Sequence, residues 1–286
     1  MNIAIGTANF NQVYGISKNI IANEKNLKKI FQIIKINKIN YLDTAFDYGL
    51  IDKLKNKKNF DKIKIITKIK LPKKNKLIFI NNLEKKIKEE LIRINKKSFE
   101  AILLHNIKDL RSTYIDYLVK KIRLLKKKKL INKIGVSIYD PNDLKIVFSK
   151  LKPEIVQAPI NIFDNRLIDS KWFKILKKKK IIVQARSIFL QGLLIKKISL
   201  IKRLNINYKT FEKIKKLDNW CKINRTSRLE VCLTFIRRIK GINIITIGIN
   251  NSKELLEILN ILKKNKKLKF KDFSTKNLKI IDPRKW

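Results

Sequence analysis

Short apolar runs rich in β-branched residues recur along this chain. They lie at Ile3-Ala4-Ile5, Tyr41-Leu42, Ile63 to Ile66, Ala101 to Leu104, Ile134 to Val136, Ile155-Val156, Ile181 to Val183 and Ile242 to Ile247. Near-continuous apolar runs of this length are what strands buried on both faces look like. Between them the apolar period changes to that of a helix. Leu83, Ile87, Leu91 and Ile94 share one helical face, and so do Ile115, Leu118, Ile122 and Leu125. Leu255, Leu256, Leu259 and Leu262 form a third stripe, with Ser252 expected as its N-cap. The longest gap precedes the last run and has room for a loop and two helices, near Tyr208–Asn224 and Ser227–Lys240.

Regular alternation of strand and helix implies a parallel α/β fold. Eight such units in 286 residues fit a (β/α)8 TIM barrel, expected as one domain over residues 1–286. An open dinucleotide-binding sheet would need a glycine-rich turn after the first strand. Gly6-Thr7-Ala8-Asn9 supplies a single glycine, so that fingerprint is absent. In a barrel, chemistry gathers at the C-terminal ends of the strands.

Composition narrows the choice further. Apolar residues make up 44% and aromatics 8%, too many for a disordered chain. Cys221 and Cys232 have no metal-ligand spacing and read as buried apolar residues; no metal site is expected. No apolar run approaches the roughly 18 residues of a membrane span. The start, Met1-Asn2-Ile3-Ala4, has no signal-peptide pattern, so a cytoplasmic location is the expectation. The 69 Lys+Arg against 23 Asp+Glu give +46, which raises the question of nucleic acid. The excess is spread evenly and travels with Ile and Asn, all with AT-rich codons, so codon bias accounts for it without a partner. Blocks such as Lys126 to Lys129 and Lys177 to Lys180 fall at expected helix ends, where cations suit the dipole.

The strand ends carry the polar residues worth examining. They are Gly6-Thr7-Ala8-Asn9 with Tyr14-Gly15 beyond, Asp43-Thr44-Ala45 with Tyr48-Gly49, Thr67-Lys68, His105-Asn106, Gly135-Val136-Ser137, Gln157 to Asn161, Arg186-Ser187 towards Gln191-Gly192, and Ile247-Gly248. Six of the seven glycines lie at or beside these places, and so does the only histidine. In a glycine-poor chain that concentration points to special backbone conformations or close approach there.

This series resembles the aldo-keto reductase superfamily, from Gly6 to about Leu259. The segment Asp43-Thr44-Ala45-Phe46-Asp47-Tyr48-Gly49 is its most specific piece, followed in order by Lys68, His105-Asn106, Gly135-Val136-Ser137, Gln157 and Ile247-Gly248. Gly6 to Phe10 and Arg186 to Gly192 resemble bacterial members that accompany surface-polysaccharide genes, which implies a sugar-derived substrate. The resemblance implies NAD(P)H-dependent reduction of an aldehyde or ketone, with Tyr48 as acid/base, Lys68 and Asp43 tuning it, and His105 orienting the carbonyl. The chemistry is consistent. No side chain gives hydride, so a nicotinamide cofactor is needed. A free tyrosine has a pKa of about 10, and a nearby ammonium lowers it. A buried ammonium in turn needs a counter-charge, which Asp43 offers. Each residue has a plainer role available: Asp43 as a turn residue, Tyr48 as a loop aromatic, Lys68 as one lysine of many, His105 as a core histidine.

The resemblance also implies that Ser137 and Gln157 bind the nicotinamide carboxamide. Ser187 to Gly192 would wrap the pyrophosphate, and Gly248 to Glu254 would approach the adenosine end. Arg186 stands where many members stack an aromatic ring on the nicotinamide, and Ile138 where many carry asparagine. Glu254 stands where NADPH-specific members often have arginine. A carboxylate repels a 2′-phosphate and accepts from a free diol, whereas Lys253 beside it works the other way. NADP and NAD both remain open, with NADH expected to serve at least as well. Phe10, Phe46, Tyr139 and Phe163 either line the pocket mouth or pack, and Trp286 either covers the mouth or frays. The competing readings are an inactive nucleotide-binding barrel or scaffold, and a basic nucleic-acid-binding protein. The oligomeric state is not legible.

Overall fold

All eight apolar runs form strands, and each strand pairs in parallel with its sequence neighbours until the last closes on the first. The structure, a computed structural model, describes residues 1–10, 23–49, 62–204, 206–264 and 268–286. Tyr14 and Gly15 lie outside the described residues. The strands are β1 (Asn2–Gly6), β2 (Tyr41–Asp43), β3 (Lys64–Ile69), β4 (Phe99–Leu104), β5 (Ile131–Ser137), β6 (Ile155–Pro159), β7 (Ile182–Arg186) and β8 (Ile244–Gly248). Among the described residues an α-helix follows every strand except β2, as parallel pairing requires of its crossovers. The helices are α1 (Glu24–Ile36), α2 (Lys76–Arg93), α3 (Ile115–Lys127), α4 (Leu144–Lys150), α5 (Arg166–Asp169) and α6 (Lys171–Lys178). Then come α7 (Ile198–Lys202), α8 (Tyr208–Ile223), α9 (Arg228–Arg238), α10 (Ser252–Lys263) and α11 (Leu278–Ile281). The result is a (β/α)8 barrel. Among the described residues no helix is long and apolar enough to cross a membrane.

The helices form where apolar period and capping agree. On α2, Ile80, Leu83, Ile87 and Leu91 are buried, with Ile94 just past its end. On α3 the buried face includes Ile115, Leu118, Ile122 and Leu125. Asn207 and Ser227 cap α8 and α9, each accepting from a first-turn N–H. The lysine blocks do end α3 and α6. Both cysteines are buried and free, and burial pushes the Cys221 thiol up to about 11 and Cys232 to about 12.

Two details of α10 differ from expectation. Its N-cap is Asn251, whose extended backbone lets Oδ1 accept from the Glu254 N–H at 2.9 Å. Ser252 is already helical, and its N–H donates to Asn26 Oδ1 at 3.0 Å. Leu256 is 45% exposed, because it stands about 100° round the helix from Leu255; Ile258 takes its place in the buried stripe.

Side chains alternate in and out of the barrel along each strand. Ala4, Ile66, Ala101, Leu103, Ile155 and Ile244 fill one inner cluster, with Tyr41 and Ile182 packed against it. Two residues further along each strand, the inward positions become polar or small. Tyr41 is followed by Asp43, Ile66 by Lys68, Leu103 by His105, and Ile155 by Gln157. On β5 the inward position one layer below Ser137 is Gly135, where a Cβ would overlap the Ile155 carbonyl oxygen and Cγ2 and the Leu103 Cδ2.

That crowding makes a prediction. Gly135→Ala should destabilise the barrel by about 1–3 kcal/mol, the usual effect of overpacking a filled core. Gly248→Ala, where a Cβ meets nothing within 4 Å, should be close to neutral. Urea unfolding of both variants checks this; equal midpoints would show that the interior at Gly135 has room.

Candidate active site

The inward layer at the C-terminal ends of the strands opens into a cavity of about 550 Å³. At its floor, the Lys68 ammonium pairs with the Asp43 carboxylate through Oδ1 and donates to the Thr44 carbonyl oxygen at 3.0 Å. Both side chains are all but excluded from solvent, at 4% and 6% exposure. A buried ammonium and carboxylate persist only when paired and hydrogen-bonded. Gln157 completes the arrangement, its Nε2 donating to Asp43 Oδ2 at 3.0 Å. The Ser137 hydroxyl donates to Gln157 Oε1, also at 3.0 Å. The β5–β6 register sets Ser137 directly against Gln157.

Tyr48 closes a 3₁₀ turn, Phe46–Tyr48, just after β2. Gly49 follows with φ +64°, a left-handed conformation that glycine adopts without a Cβ penalty. The Lys68 ammonium lies 5.5 Å from the centre of the Tyr48 ring. His105 meets the same ring edge-on at 6.1 Å between centres. Its backbone N–H donates to the Ile69 carbonyl at 2.7 Å, which extends the β3–β4 ladder by one residue. The imidazole pKa is held down to about 4, chiefly by burial and then by the Lys68 and Arg186 charges, with Asp47 working the other way. A neutral imidazole keeps one N–H donor and one acceptor. Asp47 pairs with Lys70, both half exposed.

Arg186, at the end of β7, forms the wall beside this floor. Its guanidinium lies 4.1 Å over the Tyr139 ring and donates to Ser137 Oγ at 3.4 Å, Ser187 Oγ at 3.1 Å and the Ile138 carbonyl at 3.0 Å. Arg284 covers Tyr139 at 3.5 Å. Of the four aromatics considered for the mouth, only Tyr139 lines the cavity. Phe10 and Phe163 are fully buried, and Phe46 packs on Phe99. Trp286 is 38% exposed and does not line the cavity.

The cavity continues along the loop after β7 to the loop after β8. Ser187 and Gly192 line it, as do Gly248 and Glu254. Lys253 is exposed and does not. Ser187, Leu190 and Gln191 all carry positive φ, between 48° and 56°. Non-glycine residues held there store strain of about 1–3 kcal/mol each, a feature common at ligand clamps. Glu254 is held by its loop: its carboxylate accepts from the Asn250 N–H at 2.8 Å and from both Asn250 Nδ2 and Asn251 Nδ2. Sequence reasoning missed Asp218, Lys222 and Arg228, which line the outer end. They sit on α8 and α9, away from any strand end, so neither strand register nor motif pointed to them.

The donor set suits a nicotinamide dinucleotide. One N–H of Gln157 and one lone pair on its Oε1 remain after the bonds above. The lining runs from the buried ion pair to a polar outer rim, as an elongated ligand needs.

The aldo/keto reductase family model matches residues 2–278, and the chain belongs to that family, whose members are NAD(P)H-dependent oxidoreductases. Aldo-keto reductase AKR11C1 from Bacillus halodurans, in its holo form, is similar in structure. Its TM-score is 0.70 at 17% identity, over 92% of this chain and 87% of that one. The glycerol dehydrogenase AKR11B4 from Gluconobacter oxydans gives a TM-score of 0.67 at 18% identity, over 94% and 88%. At such identities these likenesses establish the fold. The comparison with curated proteins returned no match.

As the only histidine in the chain, His105 gives a single pair of imidazole signals. Its folded pKa, about 4, lies below the ordinary imidazole value of about 6.5. The unfolded state therefore binds the extra proton across that window, and this residue's contribution to stability rises with pH from about 4 to about 6.5. Proton NMR should show His105 still neutral at pH 5.5. A midpoint near 6.5 would show that the imidazole is solvated and does not sit as described.

Proposed function

Starting from membership of the aldo/keto reductase family, we propose that this protein reduces a small aldehyde or ketone to an alcohol with Tyr48 as the general acid. The reading is carried by one observation: the buried Asp43–Lys68 pair lies beneath the Tyr48 ring in the inward layer of the barrel. When bound, NAD(P)H supplies the hydride that reaches the carbonyl carbon. The chain's residues do the rest. Tyr48 gives its phenolic proton to the carbonyl oxygen and is left as tyrosinate until solvent returns a proton. Lys68 spends two of its three N–H donors on Asp43 and Thr44. Its third N–H and its charge favour that tyrosinate. Asp43 keeps Lys68 charged, and Gln157 keeps Asp43 hydrogen-bonded. Neutral His105 donates its N–H to the same carbonyl oxygen, fixing its angle and stabilising developing charge.

Ser137 and Gln157 would hold the carboxamide of the nicotinamide, with planar Arg186 beside the ring. Ser187, Gly192 and Gly248 would follow the pyrophosphate, and Glu254 the adenosine end. The substrate side is bounded by Tyr48, His105 and Tyr139. The resemblance of Gly6 to Phe10 and Arg186 to Gly192 to polysaccharide-associated members makes sugar aldehydes and ketones the first class to assay.

Tyr48→Phe removes the proposed proton donor and keeps the ring. Turnover should fall by about 100-fold or more, while nucleotide affinity, read by fluorescence titration, stays nearly unchanged. Reduction at close to the parental rate would remove Tyr48 from the mechanism.

A further inference from the structure

The outer end of the cavity departs from the composition of the chain. Overall, Lys+Arg outnumber Asp+Glu by 69 to 23. At this end, among the described residues, three carboxylates, Asp218, Glu254 and Glu257, meet two cations, Lys222 and Arg228. Both cations pair with the same carboxylate, Arg228 from a buried position and Lys222 from solvent. Arg228 pairs through Nε with Asp218 at 2.8 Å, and its two terminal nitrogens donate to the Leu194 and Lys196 carbonyls at 2.9 and 2.5 Å. Lys222 pairs with the other Asp218 oxygen at 3.1 Å. Among the described residues, no cation lines this end that is not already paired with a carboxylate.

The start of α10 would ordinarily favour an anion. Here two of its first-turn donors are taken. The Ser252 N–H goes to Asn26 and the Glu254 N–H to Asn251. The Glu254 carboxylate itself occupies the first turn, fastened to Asn250 and Asn251. Glu257 stands three residues further along the same helix, exposed and lining the cavity. A phosphate brought here would face two carboxylates on one helix. Lys253, beside Glu254 on the same helix, is exposed and does not line the cavity, so water and salt screen its charge from a ligand there.

The reacting end of a bound dinucleotide belongs at the Asp43–Lys68 floor, so its adenosine ribose belongs at this far end. We propose that the outer end accepts an unphosphorylated ribose and rejects a 2′-phosphate, so that the protein binds NADH in preference to NADPH, with Glu257 as the discriminating residue. The inference rests on the dinucleotide reading of the cavity. Glu254 acts differently from Glu257: it holds the loop, and its charge adds to the repulsion.

Equilibrium binding tests this without turnover. NADH and NADPH are titrated by fluorescence at 0.15 M salt, and AMP and adenosine 2′,5′-bisphosphate are used as competitors that read the outer end alone. NADH should bind at least about tenfold more tightly than NADPH, and AMP should compete better than the bisphosphate. Glu257→Lys, on an exposed position whose folding circular dichroism can verify, should shrink the preference by about tenfold or more. Glu257→Gln should shrink it less, in the same direction. Equal or tighter NADPH binding by the parent, or a ratio that Glu257→Lys leaves unmoved, would overturn the inference while leaving the dinucleotide site standing. Failure of both dinucleotides to bind would overturn the dinucleotide reading and this inference with it.

Discussion

A lysine and an aspartate buried side by side inside a barrel constrain much of the structure around them. Lys68 and Asp43 point inward because they continue the inward parity of Ile66 and Tyr41. Removing one partner from such a pair typically costs about 3–5 kcal/mol, since the other charge is left uncompensated. The surroundings answer that demand. The Thr44 carbonyl takes a second Lys68 proton, Gln157 takes the second Asp43 oxygen, and Ser137 fixes Gln157. Arg186 then bonds to Ser137 and lies flat on Tyr139. One chain of contacts thus links β2, β3, β5, β6 and β7. A hydrophobic pair would be easier to bury, and the proposed proton donation by Tyr48 gives the charge a reason to be kept.

The barrel was legible because its signals are local and repeated. Eight β-branched runs and three helical stripes needed no knowledge of distant contacts, and all eight runs became strands. The family membership that Asp43 to Gly49 suggested is matched over residues 2–278. What could not be read were choices settled by neighbours in space. Ser252 and Asn251 are both good caps, and Asn26, far away in sequence, engages the Ser252 N–H while Asn251 takes the cap. Leu256 fits a loose stripe by spacing but faces solvent. Phe10 and Phe163 follow strands, as mouth residues would, yet the core takes them. Asp218, Lys222 and Arg228 come from α8 and α9, whose placement over the cavity leaves no mark in strand register.

Charge illustrates the same division between composition and place. The value +46 is the most conspicuous property of the sequence, yet the site depends on a few local inversions of it. His105 is kept neutral by burial and by the cations near it. Asp43 matches a single buried lysine, and Asp218 alone engages two cations at the outer end. Lysines at helix ends can stay solvated and contribute little, whereas a charge taken out of water must be matched within a few ångströms.

The most direct test is to remove the buried pair without leaving a charge behind. The double variant Asp43→Asn, Lys68→Met keeps the volume and spares the barrel an unpaired ion. Its fold is read by circular dichroism, its nucleotide affinity by fluorescence, and its kcat/KM for carbonyl reduction from pH 5 to 10. If the pair exists to sustain proton donation by Tyr48, the variant folds and binds nucleotide but loses about 100-fold or more in kcat/KM. A folded double variant that reduces carbonyls at the parental rate, with the parental pH profile, would contradict the account.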